Sequence, residues 1–199
     1  MAEAKNVQKI KRKKWYPIHA ENSSGKAVLG ETYTADPQDL VGKGVSVNLS
    51  TLTGDLKQQN VTLKFTIAKI DDKGAHAELI GYTLAPASVR RLISRNVNRI
   101  DDVLTCKTSD GFLLSLKPLV LTRSRTHTSV LQALRKAALQ SIAAEVPKST
   151  FEQFTQQVLD HRFQSALKKS LSKIYPTRAV EIKSFSVSQQ TENKSDEKQ

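Results

Sequence analysis

GYTLAPASVRRLISRNVNRIDDVLTCKTSDGFLLSLKPLVLT, residues 81–122, is the stretch whose reading decides the fold, because its periodicity changes within one segment. Its middle begins at Pro86, whose fixed φ suits a first helical position. Val89, Leu92 and Ile93 then fall on one side at helical spacing. Arg91, Arg95 and Arg99 recur every four residues on another side, with Arg90 beside them, and no acid lies between 90 and 99 to neutralise them. The spacing predicts a short helix with a packed face and a cationic ridge, which asks for a core and an anion. Residues 103–107 and 112–121 then flank Ser109-Asp110-Gly111, a turn signal between apolar runs. The unit reads as a helix followed by a β-hairpin.

Charge decides which anion is in question. The chain has 199 residues, 38% hydrophobic and 25% charged, an ordinary balance for a soluble globular protein, yet its net charge is +12. A strongly basic chain points to a polyanion, either nucleic acid or an anionic membrane surface. The charge is also clustered. Residues 1–16, 90–99, 123–136 and 161–178 carry +5, +4, +4 and +5, so the remainder of the chain is at −6. Cationic patches beside an acidic body suit phosphate-backbone binding, where each neutralised phosphate releases counterions. The residues expected to make those contacts are Lys9, Lys11, Arg12, Lys13 and Lys14 on the arm; Arg90, Arg91, Arg95 and Arg99 on the ridge; Arg123, Arg125 and Lys136; and Lys168, Lys169 and Lys173.

The rest of the chain supplies a body. Residues 1–16 form a basic arm with too little apolar content to fold alone, ending in Trp15-Tyr16-Pro17. Pro17 favours an extended Tyr16, and the aromatic pair is expected to be a buried anchor rather than a surface for stacking bases. Residues 19–42 read as loops with one short strand near 31–34. Val45, Val47 and Leu49, then Val61, Leu63, Phe65 and Ile67, alternate with polar residues, and the turn 71–74 leads into a partner strand at 75–84. From residue 123 the period becomes helical. Leu131, Leu134, Ala138, Ile142 and Val146 form one stripe, Phe151, Phe154 and Val158 a second behind a capping box of Ser149 and Glu152, and Phe163, Leu167, Leu171 and Ile174 a third. A last strand runs to Val187; its inward phase changes at Phe185, which a bulge or burial on both faces explains.

The expected fold is α+β, with a curled antiparallel β-sheet or small β-barrel, a C-terminal helical segment and a final strand. Residues 17–187 are expected to form one domain, β-rich over 17–122, helical over 123–175 and extended over 177–187. Residues 188–199 are polar and read as a disordered tail.

Catalysis finds little support. Asp71-Asp72 and Asp101-Asp102 adjoin no phosphate loop and no other acid at metal spacing. Cys106 is the lone cysteine and sits in a strand pattern, and the four histidines show no ligand spacing. No cofactor is called for. No apolar run is long enough to span a bilayer, and the basic N-terminus lacks the apolar core of a secretory signal, so a cytoplasmic protein is expected. A membrane-surface role is the least favoured use of the charge.

Six motifs in register carry a resemblance: Lys13-Lys14-Trp15-Tyr16; Leu29-Gly30-Glu31-Thr32; Leu49-Ser50-Thr51-Leu52-Thr53; Arg90-Arg91 with Ser94-Arg95; Thr108-Ser109-Asp110-Gly111-Phe112; and Lys173-Ile174-Tyr175-Pro176 before Val180-Glu181-Ile182. Together they resemble the archaeal and eukaryotic small-subunit ribosomal protein family S3Ae, also called eukaryotic-type S1, and the short chain looks more like the archaeal form. The resemblance implies a structural protein of the small ribosomal subunit, without catalytic activity. It would bind ribosomal RNA near the platform and the messenger exit region, beside neighbouring small-subunit proteins, with messenger RNA near the exit as a further candidate partner. The alternative is a non-ribosomal RNA-binding regulator built on a small β-barrel.

Overall fold

The computed structural model describes residues 13–20, 28–71 and 74–188. The basic segment 1–12, with Lys9, Lys11 and Arg12, lies outside them, as do residues 21–27, 72–73 and the tail 189–199. Among the described residues there are nine strands: β1 (Lys14–Ala20), β2 (Val28–Thr34), β3 (Gly44–Asn48), β4 (Val61–Asp71), β5 (Gly74–Leu84), β6 (Arg99–Asp101), β7 (Leu104–Lys107), β8 (Leu113–Thr122) and β9 (Thr177–Ser188). Five α-helices join them: α1 (Leu49–Thr53), α2 (Pro86–Leu92), α3 (Thr128–Glu145), α4 (Phe151–Leu159) and α5 (Arg162–Leu171). The fold is α+β with a mostly antiparallel sheet. That sheet does not close, so it is the open form and not the barrel. The helical segment and final strand stand where the periodicity put them.

The described residues group into two compact units, those up to Val47 together with those in Lys64–Leu79, and those in Asn48–Leu63 together with those from Ile80 on. In the first, β1 pairs antiparallel with β2, Trp15 opposite Tyr33, and parallel with β5 through Ile18 and Ala75. β1 was expected to be arm and extended entry, and β2 only a short strand near 31–34; both are longer, and their weakly alternating burial leaves little pattern in the sequence. Gly74 has no side chain for a packing reason: a Cβ there would stand 2.6 Å from the Pro17 carbonyl oxygen. Leu40, Phe65 and Ile67 are buried in this unit.

In the second unit β9 lies between β5 and β8, and β8 pairs on its other edge first with β7 and then with β6. Pro118, which has no N–H to donate, occupies the changeover. The β7 pairing reaches Leu116, the β6 pairing begins at Leu119, and the β8–β9 register shifts between Lys117 and Pro118. Opposite that shift Lys183 is left without a partner, between Ile182 and Ser184. This bulge is the physical cause of the phase change in β9, since it lets Ile182 and Phe185 both face inward. Phe185 then stacks on Tyr82 at 5.5 Å and meets Phe154 edge-on at 5.7 Å, and Phe154 meets Phe163 at 5.2 Å, so the aromatic core joins sheet and helices.

Local capping differs from expectation by one residue. The box at the start of α4 is Thr150 with Gln153, not Ser149 with Glu152. The Ser109-Asp110-Gly111 turn adds a further tie, because the Asp110 carboxylate accepts the Phe151 N–H at 2.8 Å. Leu49 opens α1 instead of ending a strand, since the Asn48 side chain accepts the Ser50 N–H and caps a helix there. Helix α5 ends at Leu171, which leaves Ile174 exposed and off its stripe.

Candidate nucleic-acid interface

The arginine ridge is not a helical ridge. Helix α2 stops at Leu92, Ile93 turns extended, and Asn96 adopts a left-handed φ of 63°, so Arg90 and Arg91 are on the helix, Arg95 is in the following turn and Arg99 opens β6. A seven-residue helix is too short to carry the four-residue repeat to Arg99.

What replaces the ridge is a junction of three loops at one end of the second unit's sheet. Sheet register places it: Arg99 is opposite Leu121, and Thr122 is opposite Thr177. Thr122 is fully buried, and its hydroxyl accepts the Asn98 N–H at 2.9 Å while donating to the Ser124 carbonyl at 2.8 Å. Asn98 Oδ1 in turn accepts the Thr126 N–H at 2.9 Å. The Arg123 N–H donates to the Pro176 carbonyl at 3.0 Å, and the Ser124 and Tyr175 hydroxyls share a hydrogen bond of 2.7 Å. Arg178 hydrogen-bonds Ser94 Oγ, and Lys168 Nζ donates to the Arg178 carbonyl at 3.0 Å. Three stretches far apart in sequence, each of them basic, are therefore fastened together by hydrogen bonds, most of them between neutral groups and two of them donated by the Arg178 and Lys168 side chains.

Apart from Lys168 and Arg178, the charged ends stay outside that knot. Arg90, Arg91, Arg95, Arg99, Arg123, Arg125, Lys136, Lys168, Lys169 and Lys173 are all exposed. Arg99 pairs with Asp101, and Arg91 Nε donates back to the Ala87 carbonyl at 3.3 Å. Arg90, Arg95, Arg123, Arg125, Lys136, Lys169 and Lys173 have no side-chain partner among the described residues. Such a surface keeps its attraction for phosphate, because its guanidinium groups are not spent on carboxylates. Sequence reasoning passed over Arg178, which closes the 161–178 basic stretch but was counted as strand; that stretch was the signal for it. Asn98, Thr122 and Tyr175, which hold the loops together, gave no signal at all.

A second cationic surface belongs to the first unit. Trp15 and Tyr33 pack with ring centroids 5.1 Å apart, and Lys13 Nζ lies 5.8 Å from the Tyr33 ring centre, with exposed Lys14 alongside. Trp15 is 64% exposed and Tyr33 52% exposed. The buried-anchor expectation for Trp15 is overturned: it lies outward on β1, where its cross-strand neighbour is another exposed aromatic.

The acids are committed elsewhere. Asp102 takes a two-pronged bond from Arg135, 2.9 Å from Nε and 2.8 Å from Nη2, and Asp71 lies 3.0 Å from His76 Nε2. Cys106 is buried, and burial raises its thiol pKa. Among the described residues no cluster of histidine, cysteine or carboxylate side chains could hold a metal ion, and no helix is long and apolar enough to cross a membrane.

Known proteins resemble this chain over most of its length. The chain is similar to small ribosomal subunit protein eS1 of Saccharolobus islandicus strain L.S.2.15, 34% identical over 93% of this chain and 89% of the relative. It is 32% identical to the protein of that name from Desulfurococcus amylolyticus, over 87% of this chain and 82% of the relative. For that of Methanothrix thermoacetophila the identity is 30%, over 90% and 85%. These are names of archaeal ribosomal proteins and not of enzymes. The Ribosomal S3Ae family matches residues 1–191, so both surfaces fall within the match, and the chain belongs to that family.

Proposed function

We propose that the protein is a structural constituent of the small ribosomal subunit, and that it binds ribosomal RNA chiefly through the three-loop junction around Asn98 and Thr122. The observation that carries this is the convergence itself: three basic segments are fixed together by hydrogen bonds that use none of the uncommitted cationic groups. In this reading Arg95, Arg99, Arg123, Arg125, Lys173 and Arg178 contact phosphates, and the sheet keeps them in register. Arg90, Arg91, Lys136, Lys168 and Lys169 extend the surface, and the basic segment with Lys9, Lys11 and Arg12 adds charge. Phosphate contacts of this kind read the shape of folded RNA more than its sequence. The exposed Trp15–Tyr33 pair, with Lys13 and Lys14, supports a stacking platform for unpaired bases.

The relatives' names support the small subunit as the site of action, in the cytoplasm. The family resemblance supports a location near the platform and the messenger exit, beside neighbouring ribosomal proteins and within reach of messenger RNA. Gradient sedimentation of the tagged protein from its own cells tests this reading. Travel with the small subunit in moderate salt is expected; protein that stays at the top of the gradient contradicts it.

A further inference from the structure

Within the second unit, lined by residues of both sheet and helices, is a cavity of about 130 Å³ that the phosphate-binding surface does not use. Two polar atoms on its lining are buried and have no hydrogen-bond partner: the Tyr82 hydroxyl and Glu181 Oε2. Tyr82 is only 1% exposed, so its hydroxyl cannot turn to bulk solvent. Leu84 and Val158 give the cavity apolar walls, Gln58, Asn60 and Ser88 add polar ones, and Lys57 and His161, both exposed, line it toward solvent. His161 is held there in the left-handed region, φ 57°, with Nδ1 3.7 Å from Glu181 Oε2. A buried hydroxyl and a buried carboxylate oxygen left without partners are costly, and a ligand that satisfies both recovers that cost.

We propose that this cavity receives one unpaired guanine base of RNA. Guanine presents two adjacent donors on its Watson–Crick edge, N1–H and the N2 amine, which a carboxylate accepts side by side. Its O6 is an acceptor for the Tyr82 hydroxyl. Adenine and cytosine turn a bare ring nitrogen toward the carboxylate, and uracil offers a single donor. The opening favours a nucleotide over a basic protein side chain. Lys57 lines it, and Lys168 is near enough for its charge to favour the ionised form of Glu181, so an arriving arginine meets like charge and an arriving phosphate meets opposite charge. Desolvation is visible in both groups: burial raises the Glu181 carboxyl pKa against the opposing pull of His161 and Lys168, and burial together with Glu181 raises the Tyr82 phenol pKa. The inference rests on the RNA-binding reading and adds to it a site for a specific base.

The test uses the full-length protein and four single-stranded probes: a uridine pentamer, and the same pentamer with its central base replaced by guanine, adenine or cytosine. The guanine probe binds about tenfold tighter than the other three. Tyr82→Phe, which keeps the ring and its stacking on Phe185, and Glu181→Gln each abolish that preference while the uridine pentamer binds as before. Salt-sensitive binding of all four probes with equal affinity overturns the guanine site and leaves the phosphate-binding reading standing. Failure of every probe to bind counts against both. Selective binding of a peptide with one arginine over its alanine counterpart, lost in Glu181→Gln while the pentamers remain indistinguishable, overturns the proposal in favour of a protein side chain.

Discussion

Thr122 and Asn98 hold each other through both backbone and side chain: the Thr122 hydroxyl accepts the Asn98 N–H at 2.9 Å, and the Thr122 N–H donates to the Asn98 carbonyl at 3.1 Å. This pairing fastens the loop that carries Arg95 to the end of β8, where Arg123 follows at once. It fixes the backbone positions from which the exposed Arg95 and Arg123 side chains extend.

Thr122→Val keeps the shape of the side chain and deletes its hydroxyl, leaving the Asn98 N–H and the Ser124 carbonyl without this partner. Chemical denaturation should show a loss of about 1–3 kcal/mol, because buried polar groups are left unpaired. RNA affinity should fall as well, since the loops lose their register.

Neutralising the junction is a test of charge alone. With Arg95, Arg123 and Arg125, none of which has a side-chain partner among the described residues, each changed to Gln, the melting temperature should change little. The slope of log affinity for structured ribosomal RNA against log salt should shrink by about two to three, close to one per lost phosphate contact. An unchanged slope removes these residues from the interface.

The helices and most long strands were legible in the sequence because burial there imposes a period. Leu134, Ala138 and Ile142 on α3, and Val61, Leu63, Phe65 and Ile67 on β4, are buried as their spacing requires. β6 was missed because a three-residue strand holds too few residues to show a period. β1 was missed because an edge hairpin with an exposed Trp15 and Tyr33 buries too little to mark itself. The basic clusters were legible as charge, but their convergence was not: it depends on Asn98, Thr122 and Tyr175, neutral residues whose role exists only once β6, β8 and β9 are in register. The expected helical ridge failed for a related reason, since a four-residue repeat of arginines continues past a helix end without any signal of the end.

Trp15 offers a contrast between stability and binding. Trp15→Ala should alter folding stability by no more than about 0.5 kcal/mol, as for other exposed side chains. It should weaken binding to single-stranded RNA by about 1–3 kcal/mol if the Trp15–Tyr33 platform stacks on a base. Fluorescence titration with RNA and a denaturation curve separate the two effects.

Phe154 lies where helix and sheet cores meet, fully buried between Phe163 and Phe185. Phe154→Ala should cost about 3–5 kcal/mol through lost burial and the cavity left behind. Urea unfolding gives the value directly.

Glu181 predicts a pH dependence of stability. Its pKa is raised in the fold, chiefly by desolvation and despite His161 and Lys168, so between the ordinary carboxylate pKa and the raised value the folded chain binds more protons at this group than the unfolded chain does. Its contribution is fully present below the ordinary carboxylate pKa and is lost as pH rises through the raised value. Glu181→Gln mimics the protonated form. The variant should melt above the unsubstituted protein at neutral pH, with the gap closing as pH falls toward the ordinary carboxylate range, in melting curves recorded across that window.

The central claim is that the three-loop junction contacts ribosomal RNA, and a crosslink map of intact small subunits from the protein's own cells tests it most directly. RNA-linked peptides should cluster at residues 94–99, 122–127 and 172–178, together in the same particles. Crosslinks confined to other surfaces, with these three segments unmodified and accessible to a water-soluble arginine reagent, would contradict the account.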